Sequence, residues 1–101
     1  LSKEKYDLFI ALDVFIYIGE ITSMLNAVKK CANKNSFFIF SIETLKGEGY
    51  SLLKSSRYAH SDSYILEVAS NGFELVDSQN VKLRKEGNKW IDGKIYILKV
   101  S

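Results

Sequence analysis

Apolar residues run almost unbroken from Tyr6 to Leu12, stop at Asp13, resume from Val14 to Ile18 and close on Gly19. A run without polar alternation predicts a strand buried on both faces, as in the parallel sheets of α/β proteins. Ligands in open α/β sheets sit just beyond the carboxyl ends of such strands. Asp13 and its neighbours are therefore the first place to look for a site. From Glu20 to Asn33 the spacing changes. Ile21, Met24, Leu25, Val28, Cys31 and Ala32 fall on one face of a helix, and Asn33-Lys34-Asn35 supplies a stop. Ser36–Glu43 (SFFIFSIE) reads as a second buried strand, rich in aromatic and β-branched residues. Strand, helix and strand at this spacing predict a parallel βαβ unit with a right-handed crossover.

Thr44 to His60 is long, polar and glycine-bearing, and connections of that length in a compact domain are commonly functional. Within it, Tyr50–Leu53 and Arg57–Ala59 around Lys54-Ser55-Ser56 can fold as a small hairpin or an irregular lobe. Ser61 or Asp62 can cap a second helix over Asp62–Ser70, which Asn71-Gly72 ends. Phe73 to about Arg84 reads as a long strand, Lys85 to Gly93 as a turn region and Lys94–Val100 as a last strand. The connection is too tight for a crossover, so this pair is antiparallel. The predicted order is β-α-β-loop-α-β-β.

At 101 residues the chain supports one modest domain. A hydrophobic content of 47% with 26% charged residues argues against global disorder. A net charge of +2 is too small to point to nucleic acid or an anionic membrane. The lone Cys31 has no intramolecular disulfide partner, which favours a reducing, cytoplasmic setting. It falls on the apolar helix face, where a cysteine packs as a small buried hydrophobe. No apolar run reaches the length of a membrane span. One histidine and one cysteine, far apart, make no metal-ligand set. The first strand starts at residue 6 and the chain at Leu1. Both suggest a partial domain covering residues 1–101.

These residues in this order resemble the C-terminal half of a class I S-adenosylmethionine-dependent methyltransferase, from about Tyr6 to Val100. YDLFIALDVFIYIG resembles the family's fourth strand and the turn after it. SFFIFSIE resembles the fifth strand, and NGFELV with its following hairpin the sixth and seventh. GYSLLKSSRYAHSDSYI is similar to the substrate loop of methyltransferases fused to tetratricopeptide-like repeats. The resemblance implies an α/β, Rossmann-like sheet ordered 3-2-1-4-5-7-6. This chain would supply strands 4-5-7-6 with two main helices, the last hairpin being antiparallel. It also implies S-adenosylmethionine as cofactor. The family's glycine-rich cofactor loop and its ribose-binding acid belong to the other half of the domain. Gly47-Glu48-Gly49 is no substitute, since Leu52 stands where a third glycine would fall and no helix opens there.

Candidate site residues follow. Ala11, Leu12, Asp13 and Tyr17 lie where the family holds its cofactor. Asp13 either orients the acceptor or caps the Val14–Ile18 turn, and Tyr17 either approaches the adenosyl group or packs in the core. His60 is a candidate general base, with a loop histidine bonded to backbone as the alternative. Arg57 can hold an acidic substrate group or stand solvated. Tyr58 belongs to the same polar-aromatic cluster, and Glu43 ends the second strand on the acceptor side. The basic run Lys82–Lys89 is expected to be solvated turn charge, and Trp90 a packing anchor beside it.

The expected function is a fragment of a methyltransferase acting on an unidentified acceptor, itself inactive and binding the cofactor weakly or not at all. The competing expectation is a small α/β interaction or dimerisation module. In either case the unpaired edge of the first strand, or an uncovered sheet face, is expected to drive self-association.

Overall fold

A computed structural model describes residues 5–101. Strand β1 spans Tyr6–Ala11, and a single 3-10 turn follows at Phe15–Tyr17. Helix α1 covers Thr22–Cys31 and runs straight into strand β2, Ala32–Glu43. A short hairpin joins β3 (Tyr50–Leu52) to β4 (Tyr58–His60), ahead of helix α2 (Asp62–Ala69). Strands β5 (Phe73–Glu86) and β6 (Lys89–Val100) complete the chain. The main sheet has the order β1-β2-β6-β5; β1 and β2 are parallel, and β6 is antiparallel to both its neighbours. This is the expected 4-5-7-6 arrangement.

Period-two alternation places Phe38, Phe40, Ile42, Tyr96, Leu98 and Val100 on one face. They are buried there against Leu25 and Val28 of α1, Ile65 and Ala69 of α2, and Phe15 of the 3-10 turn. The Phe40 and Tyr96 rings stack, with centroids 5.3 Å apart. Ser61 caps α2, its hydroxyl accepting the Tyr64 amide at 3.1 Å. Asp62, in the first turn, accepts hydrogen bonds from the Tyr96 hydroxyl at 2.5 Å and from Lys94 Nζ at 2.9 Å, tying the helix to β6. These two bonds, the first the larger, hold the Asp62 carboxyl below its ordinary range.

Five expectations need correction. β1 is not buried on both faces: Leu8 is 54% and Ile10 62% exposed, because only one face has helices packed on it. The helix ends at Cys31, so β2 begins four residues earlier than its apolar core suggests. The Asn33-Lys34-Asn35 turn is absorbed into an irregular start of that strand, with Asn35 at φ 68°. Most of the expected Lys85–Gly93 turn region is strand, paired up to Glu86↔Lys89. Trp90 consequently sits near the tip of a long ribbon, 55% exposed, rather than packed in a turn. Cys31 is half-buried.

Candidate active site

β1 and β2 point the same way, so their carboxyl ends, Ala11 and Glu43, lie at the same end of the sheet. Beyond β1 the chain turns sharply. Asp13 has φ 57°, a left-handed conformation that aspartate tolerates better than most residues. Its amide donates to Ser41 Oγ at 3.0 Å, which ties the turn to β2. Its carboxylate makes no cap for the 3-10 turn. Instead Oδ1 accepts from Arg84 Nη2 at 2.9 Å.

Arg84 also approaches Glu43, with Nη1 3.4 Å from Oε1. The same Glu43 oxygen accepts from Arg57 Nε at 3.1 Å, and Arg57 Nη2 lies 2.5 Å from Glu86 Oε1. Three carboxylates and two guanidiniums therefore form one chain of charge across the carboxyl ends. Buried Glu43 is its hub, and Asp13, 61% exposed, is its outer end. The bond to Glu43, partly offset by burial, raises the Arg57 guanidinium above its ordinary value. Neither Arg57 nor Arg84 is a solvated loop charge.

Of the residues expected in the site, Asp13, Glu43 and Arg57 meet in this network. Leu12 and Tyr17 lie exposed on the turn after β1, and Ala11 is half-buried at the strand's end. Tyr17, 73% exposed, is not in the core.

His60 and Tyr58 are drawn into a separate cluster. His60 is fully buried on β4, with Nε2 2.8 Å from the Gly19 carbonyl oxygen. The ring N–H therefore donates there, and Nδ1 has no partner among the described residues. Burial pushes the imidazole pKa down, against the backbone hydrogen bonds that favour its charged form. The Tyr64 ring lies nearly parallel to His60, at 21° and 6.1 Å, and its hydroxyl accepts the Ile21 amide at 3.2 Å. A Cβ on Gly19 would fall 2.6 Å from the Tyr50 ring and 2.7 Å from the Tyr58 ring. The cluster thus fastens the β3–β4 hairpin over the turn after β1. The backbone-bonded arrangement is the one His60 adopts.

Arg84 and Glu86 were missed. The signal was present in KLRKEG, where charges alternate with Leu83, but a turn reading hid it.

No protein-family model and no curated protein sequence matches the chain. Solved structures do. An S-adenosylmethionine-dependent methyltransferase from Methanosarcina mazei superposes with a TM-score of 0.75 at 10% identity, over 99% of this chain and 62% of that one. The magnesium protoporphyrin IX methyltransferase of Synechocystis, with bound S-adenosylhomocysteine, gives 0.67 at 19% identity over 99% and 47%. The 1,6-didemethyltoxoflavin-N1-methyltransferase of Burkholderia thailandensis gives 0.72 at 18% identity over 100% and 47%. The fold is that of a class I S-adenosylmethionine-dependent methyltransferase. The chain spans from about half to 62% of the length of these proteins. No helix among the described residues is long and apolar enough to cross a membrane.

Proposed function

We propose that this chain is the acceptor-side half of a methyltransferase domain that moves a methyl group from S-adenosylmethionine to an acceptor presenting an N–H or O–H. One observation supports the reading: the β1-β2-β6-β5 sheet with its two helices superposes on a methyltransferase over 99% of this chain and 62% of that one. The glycine-rich loop and ribose-binding acid would come from sequence joined to this half. Ala11, Leu12, Asp13 and Tyr17 would meet the cofactor, and the exposure of Leu12, Asp13 and Tyr17 just past β1 fits that role. The cofactor supplies an electrophilic methyl. The protein's part is to orient the acceptor in line with it. Asp13, Glu43 and Arg57 surround the acceptor, and Tyr58 and His60 hold the loop that covers it. Cys31 accords with a reducing cytoplasm. Fusion to tetratricopeptide-like repeats, expected from the Thr44–His60 loop, is decided by reading the adjoining coding sequence.

The test has two parts. The full protein bearing this chain is expected to transfer tritium from methyl-labelled S-adenosylmethionine to material in a cell extract; no transfer at any pH overturns the reading. Residues 1–101 alone are expected to show no calorimetric binding of S-adenosylmethionine, and low-micromolar affinity would refute the division of labour between the halves.

Among the described residues, β1 is an edge strand beside an apolar groove of about 390 Å³ lined by Tyr6, Leu8, Phe9, Ile10, Met24 and Phe38. Bare edges and apolar grooves associate. We propose that residues 1–101 self-associate along this edge, and a clean monomer by sedimentation at high concentration would rule it out.

A further inference from the structure

We infer that Arg84 is a positioning residue for Asp13, aimed at it by a β-bulge that is seated on Gly93. The role of Asp13 toward an acceptor rests on the methyltransferase reading; the aiming device does not.

Glu43 pairs with Gly93, and Gly93 with Val81. These three stand in one cross-strand row and share a sheet face. Period-two alternation from Val81 then sends Lys82 and Arg84 to the opposite face. Lys82 obeys, pairing across the ribbon with Asp92. Arg84 does not, since its guanidinium bonds to Glu43 and Asp13. The register accounts for it. Lys82 is opposite Asp92 but Arg84 is opposite Ile91, so Leu83 is an extra residue in β5. A bulge of this kind re-aims the side chains beyond it. Here it returns Arg84 to the face that carries Glu43.

Gly93 makes room for the bulge. A Cβ there would lie 2.3 Å from Leu83 Cγ and 2.6 Å from the Ile42 carbonyl oxygen. Leu83 occupies the volume that any other residue at 93 would need. Glycine, bulge and arginine thus form one device, spread over two paired strands.

Its consequence falls on Asp13. The backbone of that residue is held by Ser41 and its carboxylate by Arg84. With 61% of the side chain exposed, the tethered carboxylate still faces an incoming group. A planar guanidinium can bridge two carboxylates, whereas an ammonium acts as a point charge and cannot hold that geometry. The arrangement preorganises a hydrogen-bond acceptor at the end of β1.

The test is carbon- and nitrogen-detected NMR on the labelled chain, residues 1–101. In the wild type, Arg84 should show separate Nη resonances from slowed rotation about its guanidinium. Arg84→Gln and Leu83→Ala should displace the Asp13 carboxylate carbon to the same new position, and Leu83→Ala should merge the Arg84 Nη signals. Arg84→Lys should not restore the Asp13 signal, while Lys82→Ala, on the other face, should leave it in place. An unmoved Asp13 signal in Arg84→Gln, or an Arg84 unaffected by Leu83→Ala, overturns the inference. If Leu83→Ala fails to fold, as judged by the Phe40 and Tyr96 ring resonances, Leu83→Val replaces it under the same criteria. These signals need no cofactor. A full protein that transfers no methyl group would sink the functional reading and leave the positioning result standing.

Discussion

The two faces of the main sheet are built from similar residues and meet different fates. Phe38, Phe40 and Ile42 on one face are buried under α1 and α2, whereas Leu8, Ile10 and Phe37 on the other are exposed. Their neighbours Ser41 and Glu43, on that same second face, are buried because the Asp13 turn and the two arginines close over them. Apolarity alone therefore does not decide which face is covered. The covered face holds the core, and the open one leaves apolar side chains exposed beside the charged network at its carboxyl end.

That contrast can be broken by mutation. Phe40→Ala should cost about 3–5 kcal/mol in urea unfolding, as large-to-small changes in packed cores do, and Ile10→Ala under about 1 kcal/mol at low concentration. Equal costs would mean that the second face is buried in solution, by self-association. Gly19→Ala comes next, at about 1–3 kcal/mol, because its methyl meets the Tyr50 and Tyr58 rings. A neutral result would show that the hairpin lifts freely off the turn.

Acid should expose the same clasp. Burial lowers the folded pKa of His60, so below the unfolded value of about 6.5 the unfolded chain takes up a proton that the folded chain refuses. The stability contributed by neutral His60 is thus complete above that pH and is lost as pH falls toward the folded pKa. Thermal melts should show this slope, and His60→Gln should flatten it. The Asp62 carboxyl, also lowered, adds a loss at more acid pH, from its unfolded value of about 3.9 downward. Asp62→Asn should remove only that second limb. The smallest effect is expected at the ribbon's tip. Lys82 and Asp92 are paired but about two-thirds exposed, so Lys82→Ala should change stability by about 0–1 kcal/mol.

Much of the architecture was legible in the chain. The apolar runs around Phe9 and Phe38, the helical spacing from Ile21 to Ala32 and the Ser61 cap are local patterns whose physics acts within a few residues. They were enough to indicate the element order, the parallel first pair and the antiparallel hairpin. Asp13 and Glu43 could be marked because strand ends are visible wherever an apolar run stops.

Tertiary structure decided the rest. Whether Leu8 and Ile10 are buried depends on which helices reach them, and that is not written in the strand. Burial of His60 depends on Gly19, 41 residues away. The partner of Asp13 lies 71 residues along the chain, and a single extra residue in β5 brings it to the correct face. A one-residue bulge leaves almost no mark on hydrophobic pattern, yet it reverses the side to which every later side chain points. Local pattern thus determined where the strands are, and long-range pairing determined which charges meet at their ends.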